Sequence, residues 1–289
     1  MPFTVDHAVI NVLQRMDEAV TRFRALGFTL TERGHHSLGS INHLAMFGSD
    51  YLELVGIEPG AATIRREVAD SPLGLNGLVL RTLDARRLHG TLSAAGIPVL
   101  PPVDFDRPVL FEGRAERAAF TTVRVDPAWL AGGRVYFCEH KTPQLVWQPA
   151  WQQHDNGAVA LAGFTVVVEA PADEAGRYAR LLGAEADVQT DDEATFALAG
   201  FRLRLCTVDR YRQRYGDFGS SAAGAVDAAG EAARRPAFMG ALAIRVRSLS
   251  DVRACLDRPA ARDLQWRDDG DRLTVAAASA YDCPIEFVA

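Results

Sequence analysis

Glu53 stands between Leu52 and Leu54 in the apolar run YLELVG, with His35, His36 and His43 just upstream in HHSLGSINHLAMF. Carboxylates and imidazoles brought together can move protons or hold a divalent cation. Alone, such a carboxylate is the solvent-facing residue of a half-buried strand. Two further candidates lie elsewhere: His7 in DHAVINV, and the adjacent pair Glu139 and His140 in VYFCEHK. Neighbouring strand residues point to opposite faces, so only one of Glu139 and His140 can enter a site. The same parity admits only one of Asn42 and His43 to a pocket, and Asn42 is favoured. His36, in a Gly-Ser loop, could reach over a pocket mouth as an acid/base or substrate contact. His89 and His154 have no comparable claim.

Other chemistries lack their motifs. The sequence has no Walker loop, GxSxG, HExxH or CxxC, and Gly132-Gly133 precedes a strand-like run, which makes it a turn and not a phosphate cradle. Four cysteines without paired spacing fit a reduced, cytoplasmic chain. A net charge of −6 with scattered arginines gives no footprint for nucleic acid. No apolar run is long enough for a membrane span, and the start does not read as a signal peptide. At 289 residues the chain suits two domains.

The elements that must position these residues recur. From Asp6 the order is a strand, a helix with Ala19, Val20, Phe23 and Leu26 on one face, a stop at Gly27, and three strands at FTLTE, INHLAMF and YLELVG. The same β-α-β-β-β order begins again at Gly77, where a longer loop precedes AAFTTVRV and RVYFCEH, and again at Gly163 and Gly240. The spacing of His7 to Gly27, Gly77 to Gly96 and Gly163 to Gly183 agrees to within one residue. The fourth copy lacks the helix-ending glycine. One such unit leaves an open edge and a bare face, so units are expected to pair. Residues 147–157 (WQPAWQQHDNG) read as the linker between pairs, and Tyr215 to Arg235 as a mobile loop or loose helix. In this comparison His7 has glycine as its counterpart in the other three copies, which singles it out. Glu286 matches Glu53 in register but has no partner imidazole, so it reads as a relic or structural carboxylate.

DHAVINV opening a βαβββ unit, with YLELVG as its last strand, resembles the vicinal-oxygen-chelate superfamily of glyoxalase I, extradiol dioxygenases and antibiotic-resistance binding proteins, and within it the glyoxalase-like proteins. The resemblance implies an α+β fold: four βαβββ modules paired into two domains, 1–150 and 157–289, each a curved mixed sheet with helices packed outside. It implies His7 and Glu53 as metal ligands in the first domain, with the second domain degenerate. Gly77 removes one further ligand, and His140 is the favoured third, since two imidazoles and a carboxylate leave open coordination positions. The cofactor would be a divalent metal (Zn, Fe, Mn, Ni or Co). Glu53 and His36 are the expected catalytic residues, and Asn42, Arg81, Arg114 and Trp147 the expected substrate contacts. The activity implied is that of a metal-dependent lyase, isomerase or dioxygenase acting on a small oxygenated molecule. A metal-free binding protein of the antibiotic-resistance type, or a structural role, is the alternative. The partner is a small molecule, with no nucleic acid or membrane, and a homodimer is permitted.

Overall fold

The computed structural model describes residues 3–224 and 235–289. The first sheet comprises β1 (Val5–Leu13), β2 (Gly34–His35), β3 (Ile41–Met46), β4 (Tyr51–Gly56), β5 (Gly74–Arg81), β6 (Val103–Phe111), β7 (Arg114–Arg124) and β8 (Arg134–His140). The second comprises β9 (Ala158–Val167), β10 (Val188–Gln189), β11 (Glu193–Leu198), β12 (Phe201–Cys206), β13 (Phe238–Val246), β14 (Trp266–Asp268), β15 (Arg272–Val275) and β16 (Ile285–Val288). The helices are α1 (Met16–Ala25), α2 (Arg66–Ala69), α3 (Ala85–Ala94), α4 (Pro171–Leu182), α5 (Val208–Tyr215) and α6 (Leu249–Leu256).

Both sheets have one topology. The order is β2-β3-β4-β1-β5-β8-β7-β6 in the first and β10-β11-β12-β9-β13-β16-β15-β14 in the second. The units join through their first strands, β1 to β5 and β9 to β13, both antiparallel, while β1 pairs with β4 in parallel. These central strands are covered on both sides, which is why DHAVINV is almost uniformly buried instead of alternating. Ile10, Phe23, Leu78, Phe164, Tyr178 and Leu242 belong to one core shared by the helix-covered faces of both sheets. The opposite, inner faces carry separate clusters, one around Val9, Tyr51, Val79 and Tyr136 and one around Val167, Tyr211 and Phe238.

Several local expectations change. FTLTE is not a strand: it runs beside β3 as irregular chain, with the Thr31 amide donating to the Leu44 carbonyl at 2.9 Å. The longer loop of the second unit is instead a hairpin, β6 and β7, turning at Glu112 and Gly113. This hairpin reaches back to the first unit, where the Ser37 amide donates to the Asp106 carbonyl at 3.0 Å. Helix α5 lies on the inner face of the second sheet, not outside it, because Tyr211 and Tyr215 pack with Val167, Cys206 and Phe238. Its last residue, Tyr215, opens the stretch read as a loose connection, of which residues 225–234 lie outside the described residues.

One irregularity bears on chemistry. The pairing of β1 with β5 steps from Val5↔Leu80 to His7↔Val79, so Asp6 is a bulged residue. A bulge lets two consecutive side chains turn to one side of a sheet, against strict alternation. In the fourth unit the corresponding shift falls between Met239 and Ala241, around Gly240. Since Val9 pairs with Glu53 and Ala243 with Glu286, Gly240 is the counterpart of Asp6, and Ala241 that of His7.

Candidate active site

The bulge on β1 brings Asp6 and His7 together. Asp6 Oδ1 accepts from His7 Nδ1 at 2.7 Å, which leaves His7 Nε2 facing Glu53 Oε2 at 3.7 Å. A carboxylate behind one ring nitrogen fixes the tautomer and raises the basicity of the other. Tyr51 stacks on the His7 ring with centroids 4.3 Å apart, fixing its plane. Asn42 Nδ2 donates to Glu53 Oε1 at 2.7 Å and lies 3.3 Å from His36 Nε2, while His36 Nδ1 meets Ser40 Oγ at 2.9 Å. His7, His36, Asn42 and Glu53 therefore border one buried cavity of about 30 Å³, closed by Tyr51, Phe105, Phe120, Tyr136 and Cys138.

Electrostatics sets the protonation states. Burial alone would raise the Glu53 carboxyl, but His7, His36 and the Asn42 hydrogen bond outweigh it and hold the group below its usual range. Asp6, also buried, is held far below by hydrogen bonds from His140 and His7. Burial pushes His36 down to about 4, against the pull of Glu53, so its imidazole is neutral at pH 7 and Nε2 is an acceptor. Two cations line the same cavity. Arg65 is ion-paired with Glu67, whereas Arg107, 4% exposed, has no carboxylate within ion-pair distance among the described residues.

The expected residues are distributed as follows. Asn42 faces the cavity and His43 the opposite side, where its Nδ1 meets the Thr31 carbonyl at 2.7 Å. Glu139 points outward and accepts from the Ala85 amide at the start of α3, so His140 is the inward member of its pair. His140 Nε2 lies 2.9 Å from Asp6 Oδ1 and not on the Glu53 side. Arg81 Nε also donates to Asp6, at 2.9 Å, with its guanidinium 4.8 Å from the Trp147 ring centre. Trp147 in turn packs on His140, centroids 4.7 Å apart. Arg81, Trp147 and His140 thus stand behind Asp6, and Arg114 lies exposed at the hairpin turn. The ligand set expected from the resemblance is divided by Asp6: His7 and Glu53 face each other, and His140 is captured on the far side.

Among the described residues, the three-donor cluster is Asp6, Cys138 and His140, with donor atoms within 4.8 Å of one another. It suits a metal less well than its composition suggests. Burial and the charge of Asp6 push the Cys138 thiol well up, and it is the thiolate that ligates. Asp6 is already compensated by Arg81, His7 and His140. His7 Nε2 and Glu53 Oε2 carry free lone pairs toward one space, and an imidazole–carboxylate pair suits a borderline divalent ion.

The sequence reading missed Asp6 and Arg107. Strict strand alternation puts Asp6 on the face opposite His7, and only the bulge reverses that. Arg107 stood in a segment read as loop, although Val103, Phe105, Arg107, Val109 and Phe111 alternate along β6.

In the second sheet α5 packs on the inner face instead, and a groove of about 210 Å³ stays open beside Thr165, Tyr215 and Glu286. Arg214 Nε and Nη2, from α5, donate to the two Glu286 oxygens at 2.9 and 3.0 Å. Glu286 is a structural carboxylate here. Tyr211 Oη donates to the Gly240 carbonyl at 2.7 Å, and a Cβ on residue 240 would come within 2.7 Å of the Tyr211 ring.

The profile of a family described as glyoxalase-like domain matches residues 5–182. The chain belongs to the glyoxalase-like domain family. No curated protein matches the sequence. Among solved structures, a hypothetical protein from Staphylococcus aureus aligns over 99% of this chain and 98% of its own, with a TM-score of 0.62 and 12% identity. A variant of 4-hydroxymandelate synthase from Streptomyces coelicolor aligns over 99% and 92%, with a TM-score of 0.55 and 13% identity. A xylose isomerase-like TIM barrel/4-hydroxyphenylpyruvate dioxygenase fusion protein aligns over all of this chain and 49% of its own, at 0.56 and 12%. At these identities the likeness is one of fold. The glyoxalase-like match ends within α4, so the family profile spans the first sheet and only the start of the second.

Proposed function

We propose that the chain is a metal-dependent enzyme of the lyase or isomerase kind, acting on a small oxygenated molecule in the cavity of the first sheet. The observation that carries this reading is the buried approach of His7 Nε2 to Glu53 Oε2 at 3.7 Å, with Asp6 behind the imidazole. His7 and Glu53 would hold the ion, and His140 would support it from behind, through Asp6. Bound there, a divalent ion supplies Lewis acidity that polarises substrate oxygens and offsets developing enolate charge.

The chain's own groups do the remaining work. Asn42 fixes Glu53 by donating to Oε1, leaving Oε2 directed at His7. His36 Nε2, neutral and lining the cavity, is the atom placed to accept a proton. Phe105, Phe120 and Tyr136 keep water from the cavity, and Arg65 and Arg107 favour a substrate that gains negative charge. The fold is shared with a protein named a dioxygenase, and oxygen-dependent chemistry on the same ligands is a sister reading.

Metal analysis of protein purified without chelator or nickel affinity tests the proposal. One equivalent of divalent metal is expected in the native chain and is expected to vanish in His7→Ala and Glu53→Gln that retain the native circular dichroism spectrum. Failure to load any of Zn, Fe, Mn, Ni or Co would refute it. The position of His140 on Asp6 favours, as second reading, a metal-free small-molecule binding protein using the same cavity.

A further inference from the structure

Arg107 is a buried cation with no ion-pair partner among the described residues; the carboxylate that acts on it, Glu53, lies across the cavity beyond ion-pair distance. Arg107 is 4% exposed, and among the described residues its Nη2 has no hydrogen-bond partner and no carboxylate comes within ion-pair distance. Charged groups that deeply buried are ordinarily paired, because losing water is costly for an ion left alone. The chain nevertheless makes room for it. A Cβ on Gly34 would press first on Asn42 Oδ1 and then, at 3.0 Å, on Arg107 Cδ, so glycine on β2 leaves room for both side chains.

Its placement suggests what the missing partner is. Arg107 is the one residue shared by the inner cavity and an outer groove of about 360 Å³. Pro108, Val109, Leu110 and Trp151 give that groove an apolar side, and Leu110 is 59% exposed. The inner cavity, about 30 Å³, holds roughly the oxygens of two waters, which is the demand of a carboxylate and less than that of a phosphate. A guanidinium presents parallel N–H donors that match a carboxylate's two oxygens.

We infer that Arg107 receives the carboxylate of an amphipathic carboxylic acid whose apolar body lies in the outer groove. The inference rests on reading the first cavity as the ligand site, but not on the presence of metal. Arg107 is thereby a specificity-determining residue at the junction of groove and cavity.

The test uses the full chain, stripped of metal and dialysed free of chelator, with hexanoate and benzoate as probes. Hexanol and benzyl alcohol are the neutral controls, and inorganic phosphate is the competing anion. Calorimetry is expected to show binding of the carboxylates, no binding of the alcohols, and affinity about tenfold or more lower in Arg107→Met, with Arg107→Lys between. Without ligand, Arg107→Met is expected to melt at or above the native temperature, since it removes an uncompensated buried charge. Absent carboxylate binding, equal binding by Arg107→Met, or binding of phosphate alone would overturn the assignment. So would a large fall in the melting temperature of unliganded Arg107→Met, which marks a structural arginine. Because these measurements use metal-free protein, loss of the metal proposal leaves them standing.

Discussion

At the scale of single residues, Asp6 organises the site. One of its oxygens meets His7 Nδ1 and His140 Nε2, and the other accepts from Arg81 Nε. Three partners keep it ionised despite complete burial. Its charge orients His7 without touching a ligand, which makes it a positioning residue. Asp6→Asn keeps the shape but loses the charge, and an amide nitrogen can only donate to one of its neighbours. Carboxylates behind metal-bound imidazoles typically contribute about 10–100-fold in affinity, so Asp6→Asn is expected to weaken metal binding by that order. His7→Ala is expected to abolish it. Titration with a competing chelator measures both, and an Asp6→Asn affinity equal to native would remove Asp6 from the site.

At the scale of elements, one topology is used twice with opposite results. In the first sheet the bulged residue is Asp6 and the inner face stays hollow. In the second it is Gly240, and α5 lays Tyr211 over it. Tyr211 Oη donates to the Gly240 carbonyl and accepts from the Ser220 amide at 2.9 Å, so it satisfies two buried backbone groups. Tyr211→Phe leaves both unpaired and is expected to cost about 1–3 kcal/mol in urea unfolding. Metal and carboxylate binding by the first sheet should be unchanged, and a change in either would mean that the second sheet takes part in the site. The repeat was legible in the sequence because each unit announces itself by a buried first strand and an amphipathic helix, and in three copies by a helix-ending glycine. Strand parity was enough to say that only one of Asn42 and His43, and one of Glu139 and His140, faces inward, but not which; ligand chemistry, and not parity, favoured His140. Parity failed at Asp6, where a bulge adds a residue to one strand without any mark in composition. It failed also at β6, where Pro108 and three charged residues disguise the alternation of an arm whose inward side chains close a cavity.

At the scale of the whole molecule, the two sheets are locked through residues that looked like linker. His154 Nε2 donates to the Met46 carbonyl at 2.8 Å and Nδ1 accepts from the Thr29 amide at 3.1 Å, a pattern only the neutral ring can make. Asn156 Nδ2 donates to the Leu26 carbonyl at 2.9 Å, and Asp50 Oδ1 accepts from the Leu161 amide at 2.8 Å. Burial lowers His154 and pushes Asp50 up to about 6 from an ordinary 3.8. These shifts act in opposite directions. The unfolded chain protonates His154 more readily, so that contribution is lost as pH falls below about 6.5. Folded Asp50 holds its proton where the unfolded chain has released it, so its contribution is full below 3.8 and is lost as pH rises toward 6. Asp50→Asn retains an oxygen for the Leu161 amide and has no charge to bury. The variant is therefore expected to match native stability near pH 4 and to exceed it above pH 6 by about 2–3 kcal/mol. Urea unfolding at pH 4, 5, 6 and 7.5 traces the divergence. A variant less stable than native at pH 7.5 would show that the ionised carboxylate strengthens the joint, through the Leu161 amide and Arg81, by more than its burial costs.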